Sequence, residues 1–223
     1  MPTYEQLGFG QGAALTGDRA KAVFGQVMGL VAVSVGFTAL GAYILRNAQT
    51  GGLIFFIPAF ACMWGLNIAA QRGREQLAVG LLFGMALFMG MAISSVVVYY
   101  AKTNPAVVYQ AAGATALFTA ALGSWGYATR RDLSSWQRPL FWALLALIGF
   151  GLVLFFVTIP AENVVWGLLV LVVFGGLVAF DFNRLARTGQ YQSAVPIAAA
   201  IFLDVLNIFL AFLAIFGGGG SRR

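Results

Sequence analysis

The stretch Ala199-Ala200-Ile201-Phe202-Leu203-Asp204-Val205-Leu206-Asn207 places a single acid, Asp204, inside an apolar run that covers residues 194–216. About 20 apolar residues cross the hydrocarbon core of a bilayer, so this run is long enough to be a transmembrane helix. An ionised carboxylate at the depth of Asp204 is costly unless it is paired or hydrated, and acids in such positions are candidates for function. Asn207 lies three residues further on the same helix face and extends the polar stripe. The sequence therefore predicts a membrane-spanning last helix with a functional carboxyl at Asp204.

The whole chain has the composition of an integral membrane protein. Of its 223 residues, 61% are hydrophobic and 9% are charged, whereas soluble domains carry about 25% charged residues. The mean hydropathy is +0.88, and 28 residues are glycine, which transmembrane helices tolerate better than soluble helices do. A chain of this length has room for at most about eight spans with short loops. It has no room for a separate soluble catalytic domain.

Seven apolar runs, each bounded by charge, Pro, Asn or Gly, predict an all-α protein with seven transmembrane helices. The runs cover residues 22–45, 53–70, 77–100, 105–127, 139–159, 164–182 and 194–216. The predicted organisation is a polar, flexible N-terminal tail at residues 1–18, a seven-helix transmembrane domain at residues 19–217 and a short C-terminal tail at residues 218–223. Because the tail contains Glu5 and the first run is long, we expect no cleaved signal peptide and a structural first span.

The basic residues predict the orientation. Nine of the 13 Lys and Arg residues fall just before the first run, at Arg19 and Lys21, and in the loops after the second, fourth and sixth runs. Since cytoplasmic loops are enriched in Lys and Arg, we expect the N-terminus to be cytoplasmic. Arg222 and Arg223 would also favour the cytoplasm, so a last segment that dips into the membrane and returns is the alternative to a seventh span. The basic residues stand singly or in pairs at the ends of apolar runs, which predicts contacts with membrane lipid and not with nucleic acid.

Asp181 is the second acid of interest. The other acids besides Asp204 fall in the tail or in loops, whereas Asp181 ends the sixth run on the predicted cytoplasmic side. Asp181 could cap its helix and pair with Arg184, three residues further on. Adjacent spans could also bring Asp181 and Asp204 together, and two close carboxylates titrate as a unit. The second arrangement predicts a proton-sensitive latch.

Many enzyme classes are excluded by composition. The chain has no His and one Cys, which rules out Ser-His-Asp and Cys-His triads, His-rich metal sites and intrachain disulfides. Cys62 lies in an apolar run and is interpreted as a small buried hydrophobe. The glycines of residues 8–12 follow no strand, so they do not predict a nucleotide-binding loop. The sequence predicts no enzyme activity and no bound cofactor.

Pairs of glycines at four-residue spacing predict close packing of helices. Gly25 with Gly29, and Gly80 with Gly84, are such pairs. In lipid, small residues at this spacing let two helix backbones approach each other.

Two segments give the chain a resemblance to a known family. Phe180-Asp181-Phe182-Asn183-Arg184 ends the sixth run, and Phe202-Leu203-Asp204-Val205-Leu206-Asn207-Ile208-Phe209 lies in the seventh. The chain here resembles the Bax inhibitor-1 family, whose sixth span ends in aromatic-Asp and whose seventh reads aromatic-Leu-Asp-x-x-Asn-aliphatic-Phe. The similarity in span number and loop lengths covers residues 19–217.

The resemblance implies a fold in which the last helix is enclosed by the other six. For bacterial members, in the inner (plasma) membrane, it also implies a pH-sensitive calcium leak gated by two aspartates. By position these are Asp181 and Asp204, which would sense pH, form the gate and hold calcium weakly in transit. A basic residue after the second span is also described for the gate. Arg72 or Arg74 could fill that role, and we expect one of them to form an ion pair with Asp181.

The chain departs from the family pattern in two ways. Phe180 and Phe202 stand where members often have Tyr, and the second run has no acid, which removes one calcium ligand. Calcium prefers several oxygen ligands, so two carboxylates with Asn207 predict only weak binding. Weak binding suits a leak, because a conducted ion must also depart.

Two other function classes compete with the leak. Presenilin-like intramembrane aspartyl proteases also place one aspartate in the sixth span and one in the seventh. They carry Gly-x-Gly-Asp at the second aspartate and a Pro-Ala-Leu element, and this chain has neither. The other class is a non-enzymatic membrane protein that modulates a protease or a death-regulating partner through its helices. Ion flux, substrate cleavage and inertness in liposomes would distinguish the three classes.

Overall fold

The apolar runs form helices, because a backbone in lipid must satisfy its hydrogen bonds within the same segment. The computed structural model describes residues 9–47, 52–156, 162–187 and 193–218, and it contains no strand within them. Seven α-helices follow one another: α1 (Phe9–Ile44), α2 (Phe56–Gln71), α3 (Glu75–Thr103), α4 (Pro105–Ala128), α5 (Gln137–Phe156), α6 (Glu162–Arg187) and α7 (Ala194–Gly218). The predicted all-α membrane fold is confirmed.

Six of these helices are long and apolar enough to span a membrane, and α2 is the shorter seventh. The 16 residues of α2 extend only about 24 Å at 1.5 Å per residue. A 3₁₀ turn at Gly52–Phe55 precedes α2 directly, and at about 2 Å per residue it adds roughly 8 Å. Together the two segments match the hydrocarbon thickness of about 30 Å.

Helix α7 is the centre of the bundle. Almost half of its 25 residues are buried, among them Ile197, Phe202 and Ile208. Helices α1, α2, α3, α4 and α6 pack around it, whereas α5 packs on α6 and does not reach α7 in the described residues. Five helices therefore enclose α7, and not the six that the resemblance implied. The outer position of α5 leaves large side chains such as Trp142 and Phe156 exposed to the membrane.

Helix α7 crosses the whole bundle. At its start, Ser193 donates a hydrogen bond of 2.9 Å to Glu75, the first residue of α3. At its end, Gly217 lies against the ring of Tyr100, near the end of α3. The alternative of a segment that dips into the membrane and returns is therefore wrong.

One end of the bundle carries most of the arginines, and we call it the basic end. Helices α2, α4 and α6 end there, and α3, α5 and α7 begin there. Its arginines in the described residues are Arg72, Arg74, Arg130, Arg131, Arg138, Arg184 and Arg187. The turn from α2 to α3 at this end is tight because Gly73 adopts a positive φ of 69°, which glycine does without steric cost.

The close helix contacts are made by other glycines than those predicted. A Cβ at Gly25, Gly29 or Gly80 would meet no atom of the described residues within 4 Å, and one at Gly84 would make an ordinary contact with Cys62. The prediction from these pairs was wrong, because four-residue spacing does not determine which face of a helix meets a neighbour. The close approaches are between α1 and α3 and between α4 and α6. They are made by Gly41, Gly90 and Gly126, where a Cβ would collide with the backbone of the facing helix.

The N-terminal tail is shorter than predicted. Helix α1 begins at Phe9, so about half of the segment expected to be a flexible tail is helical. Good helix formers such as Ala20 and Lys21 connect this part to the first span. Residues 1–8 and the C-terminal residues 219–223, including Arg222 and Arg223, lie outside the described part of the chain.

Candidate functional site: a buried carboxyl pair

The sixth helix continues beyond the point where its apolar run ends, and this brings the two acids to similar depths. The sequence predicted an end at Phe182, but α6 runs to Arg187. Asp181 therefore lies six residues, or about 9 Å at 1.5 Å per residue, inside the helix end. Asp204 lies ten residues after the start of α7 at Ala194, or about 15 Å from it. The remaining difference of about 6 Å is small enough for two side chains to bridge.

The carboxyl groups of Asp181 and Asp204 are hydrogen-bonded to each other. Both side chains are removed from solvent, with exposed fractions of 6% and 5%. Two ionised carboxylates have no proton to donate, so this hydrogen bond requires one proton in the pair. The structure therefore brings the two acids together, and their role as a latch stays a prediction.

One oxygen of the pair is fully enclosed. Apart from the carboxyl of Asp181, the buried Oδ2 atom of Asp204 has no hydrogen-bond partner among the described residues. A buried polar atom without a partner is costly in a protein interior. Its contact with the Asp181 carboxyl is therefore the polar contact that the described structure offers this atom.

The nearest positive charge is local to α6. Arg184, one turn after Asp181, acts electrostatically on the Asp181 carboxyl. No ion pair joins Asp181 to Arg72 or Arg74 among the residues that the structure describes. In this conformation the charge that acts on Asp181 is that of Arg184 and not that of Arg72 or Arg74, because Asp181 faces α7 and Asp204. A gating role for Arg72 and Arg74 stays a prediction.

Asn207 does not join the carboxyl pair through its amide nitrogen. That nitrogen donates a hydrogen bond of 2.8 Å to the carbonyl of Leu203, four residues earlier on α7. No group of three or more acids or other metal-ligating side chains occurs within the described residues. The carboxyl oxygens at this site are therefore fewer than the roughly six to eight oxygen ligands that calcium usually takes.

Sequence reasoning missed the residue that holds this region together, Asn183. Its side chain is only 2% exposed and bridges α6 to the turn between α4 and α5. The oxygen accepts a hydrogen bond of 3.2 Å from the amide of Leu133. The nitrogen donates to the carbonyls of Gly126 and Arg131, at 3.0 and 3.2 Å. Asn183 could have been found from its position in the Phe180–Arg184 segment, two residues after Asp181. The apolar run ends at residue 182, so the sequence placed Asn183 in a loop, whereas the structure places it on α6.

The same turn contains an exposed acid with a different environment. Asp132 accepts hydrogen bonds from the Ser134 hydroxyl at 2.6 Å and from the Ser134 amide at 2.9 Å. These two hydrogen bonds lower the pKa of Asp132 below its ordinary value of 3.8. Asp132 therefore stays ionised near neutral pH, whereas the buried pair of Asp181 and Asp204 shares a proton.

Residues 20–221 match the family model described as "Inhibitor of apoptosis-promoting Bax1". The chain belongs to the Bax inhibitor-1 family. The match begins within α1, covers α2 to α7 completely and includes both carboxyl-bearing segments, which agrees with the resemblance noted in the sequence.

Bacterial membrane proteins are among the relatives. The inner membrane protein YbhL of Escherichia coli is 27% identical over 214 residues, which cover 86% of this chain and 89% of YbhL. YrjE of Lactococcus lactis, named as an uncharacterized protein, is 26% identical over 226 residues, covering 92% of this chain and 94% of YrjE. An uncharacterized protein of Helicobacter pylori is 26% identical over 165 residues, covering 74% and 70%. This Bax inhibitor-1 family member is an integral membrane protein.

Proposed function

We propose that the protein is a pH-sensitive cation leak in which Asp181 and Asp204 form the gate, with calcium as the transported ion. The observation that carries this proposal is the direct hydrogen bond between two buried carboxyls on neighbouring central helices. Ionisable groups inside a membrane protein mark ion or proton pathways by default. The family resemblance supplies calcium as the ion.

The shared proton holds the gate closed in this proposal. When the proton leaves, two negative charges stand side by side in a poorly hydrated interior, and their repulsion favours separation. Separation of the pair would part α6 from α7 and admit water to the buried Asp204 oxygen. The same charges would then attract a cation, and two carboxylates hold calcium weakly enough for it to leave. We therefore expect flux to rise as the pH rises.

The proposal also includes an orientation. Because cytoplasmic segments are enriched in Lys and Arg, the basic end would face the cytoplasm. The N-terminus would then be cytoplasmic, and the carboxyl pair would control the cytoplasmic half of the path. YbhL is named as an inner membrane protein, which supports the same location for this chain.

The carboxyl pair could also suggest an intramembrane aspartyl protease, and the flanking residues argue against it. The sequence before Asp204 is Phe202-Leu203, and no Gly-x-Gly-Asp or Pro-Ala-Leu element occurs in the chain. We therefore propose a non-enzymatic role. A helix-mediated modulator of a membrane protease or a death-regulating protein remains the competing class.

Purified protein in liposomes that contain a calcium indicator tests the proposal. We expect calcium entry above that of protein-free liposomes, increasing from acidic to alkaline pH. A variant with Asp132→Asn should behave like the unmodified protein, because Asp132 is exposed and lies outside the pair. Absence of flux at every pH would contradict the leak and favour the modulator. Cleavage of an added membrane peptide that stops in Asp204→Asn would favour the protease.

A further inference from the structure

A large cavity lies between α1 and α4, on a different side of α7 from the carboxyl pair. Its volume is about 860 Å³, within the range of about 300–1,000 Å³ that is usual for small-molecule sites. The backbones of α1 and α4 do not pack against each other in the described residues, so the cavity opens sideways between them. We call it the α1–α4 cleft. Its walls and floor include Ala32 and Ala39 of α1, Ala116 and Ala120 of α4, and Val205 and Phe209 of α7.

The cleft is suited to an uncharged, apolar molecule. No charged residue is among the described residues that line it, and Ala116 and Ala120 are exposed at its opening. The opening lies along membrane-spanning helices, so a molecule enters it from the hydrocarbon. Aromatic rings close it toward the basic end, where Phe24 lies 5.0 Å from Tyr127 and 6.4 Å from Phe182 between ring centroids.

Thr119 gives this largely apolar cleft a deeply buried polar group. Three threonines line the cleft besides Ser124 and Tyr127, which lie nearer the basic end, and two of the threonines donate to backbone carbonyls: Thr38 to Ser34 and Ala86, and Thr115 to Ala111. The third, Thr119, is 9% exposed, and its hydroxyl has no hydrogen-bond partner within the described part of the chain. A buried hydroxyl without a partner is costly, and a ligand oxygen in the cleft would remove that cost.

The depth of Thr119 restricts the class of ligand. Trp125, which is half exposed and lies near Trp136 with ring centroids 6.1 Å apart, marks the membrane interface at the basic end. Thr119 lies six residues earlier on α4, or about 9 Å deeper at 1.5 Å per residue. Ester oxygens of phospholipids stay at the interface with their headgroups. An oxygen that reaches Thr119 would therefore have to be carried into the hydrocarbon by an uncharged molecule.

We propose that the α1–α4 cleft binds an uncharged long-chain lipid whose hydroxyl or carbonyl oxygen hydrogen-bonds to Thr119. The chain lies between the alanines of α1 and α4, and the oxygen meets the Thr119 hydroxyl. This site is separate from the carboxyl pair, and the inference does not depend on the proposed leak.

Photolabelling in liposomes tests the inference with two matched probes. One is a long-chain fatty alcohol with a diazirine in the chain, and the other is the corresponding alkane without the hydroxyl. We expect the alcohol probe to label peptides of α1 and α4 that line the cleft, and excess unlabelled fatty alcohol to prevent the labelling. Thr119→Val should reduce this saturable labelling roughly threefold to tenfold, as expected for the loss of one hydrogen bond. Labelling by the alkane should not change in this variant.

Two tryptophan variants locate the site. Ala116→Trp should fill the cleft and abolish labelling, whereas Ala121→Trp, also exposed on α4 but outside the cleft, should leave it unchanged. Equal labelling by both probes would overturn the inference, because the cleft would then contact lipid chains in general. Undiminished labelling by the alcohol probe in Thr119→Val would also overturn it. Because Val has nearly the same shape as Thr and removes an unpartnered hydroxyl, Thr119→Val should fold at least as well as the unmodified protein.

Discussion

Asp181 on α6 and Asp204 on α7 hydrogen-bond to each other through their carboxyl groups inside the bundle. The two helices form one of the most extensive interfaces of the protein. A change in the charge of the pair therefore acts on helix packing and not only on two side chains. This coupling is the physical basis of the proposed gate.

The first prediction concerns the pH dependence of flux. Replacing Asp181 or Asp204 by Asn leaves a neutral side chain of nearly the same shape at one position of the pair. The variant can still form a hydrogen bond but cannot develop two adjacent charges. Each variant should flatten the pH profile of calcium flux in liposomes.

The matched control for these variants is Asp132→Asn. Hydrogen bonds from Ser134 lower the pKa of Asp132, so its charge does not change across the pH range in which flux should rise. This variant should keep the original pH profile. If both pair variants also kept it, Asp181 and Asp204 would be packing residues only.

The second prediction concerns Asn183. Truncation to Ala leaves the buried amide of Leu133 without its acceptor, which should destabilise the protein by about 1–3 kcal/mol. Hydrogen exchange of the turn at residues 129–136 should become faster. Asn67→Ala is the control, because Asn67 is exposed and donates only to Met63 on its own helix. Equal melting temperatures for the two variants would contradict the role given to Asn183.

The third prediction concerns the close approach of α4 and α6. A methyl group at Gly126 would meet the Cα of Ala179 at 2.8 Å and would collide with its carbonyl. Gly126→Ala should therefore destabilise the protein by about 1–3 kcal/mol, as overpacking does. Gly113→Ala on the same helix meets no atom within 4 Å and should be neutral or slightly stabilising. The comparison requires thermal unfolding of both variants in the same detergent.

The fourth prediction concerns orientation. In a variant with Cys62→Ala, a single Cys at position 131 should be shielded from a membrane-impermeant thiol reagent in intact cells, because the proposed orientation places the basic end in the cytoplasm. A single Cys at position 102, at the opposite end of α3, should react. Reaction at position 131 from outside would reverse the proposed orientation.

Much of the fold could be predicted from the apolar runs, but the ends of the helices could not. Asp181, Asn183 and Arg184 resemble a loop after an apolar run, and yet α6 continues to Arg187. Arginines in the last turn are favourable at a helix C-terminus, and Leu185 between them is buried. The apolar run is therefore shorter than the helix. For this reason the sequence placed Asp181 and Asp204 at depths too different for direct contact.

The arrangement of the helices depends on contacts that composition does not specify. An apolar face suits lipid and protein equally well, so the sequence did not show that α5 lies outside the ring around α7. The two acids could be selected because they are the only ones in the spans. Their direct hydrogen bond, and the bridge made by Asn183, depend on how α6 is positioned against α7 and α4.

The central claim is that the Asp181–Asp204 pair holds one proton that closes the gate, and infrared spectroscopy tests it most directly. Protein labelled with ¹³C-aspartate and reconstituted in lipid should show the C=O band of one protonated carboxyl, which disappears over the pH range in which flux rises. The band should be missing in Asp204→Asn and unchanged in Asp132→Asn. Absence of the band in the unmodified protein, or its persistence while flux rises, would contradict the account.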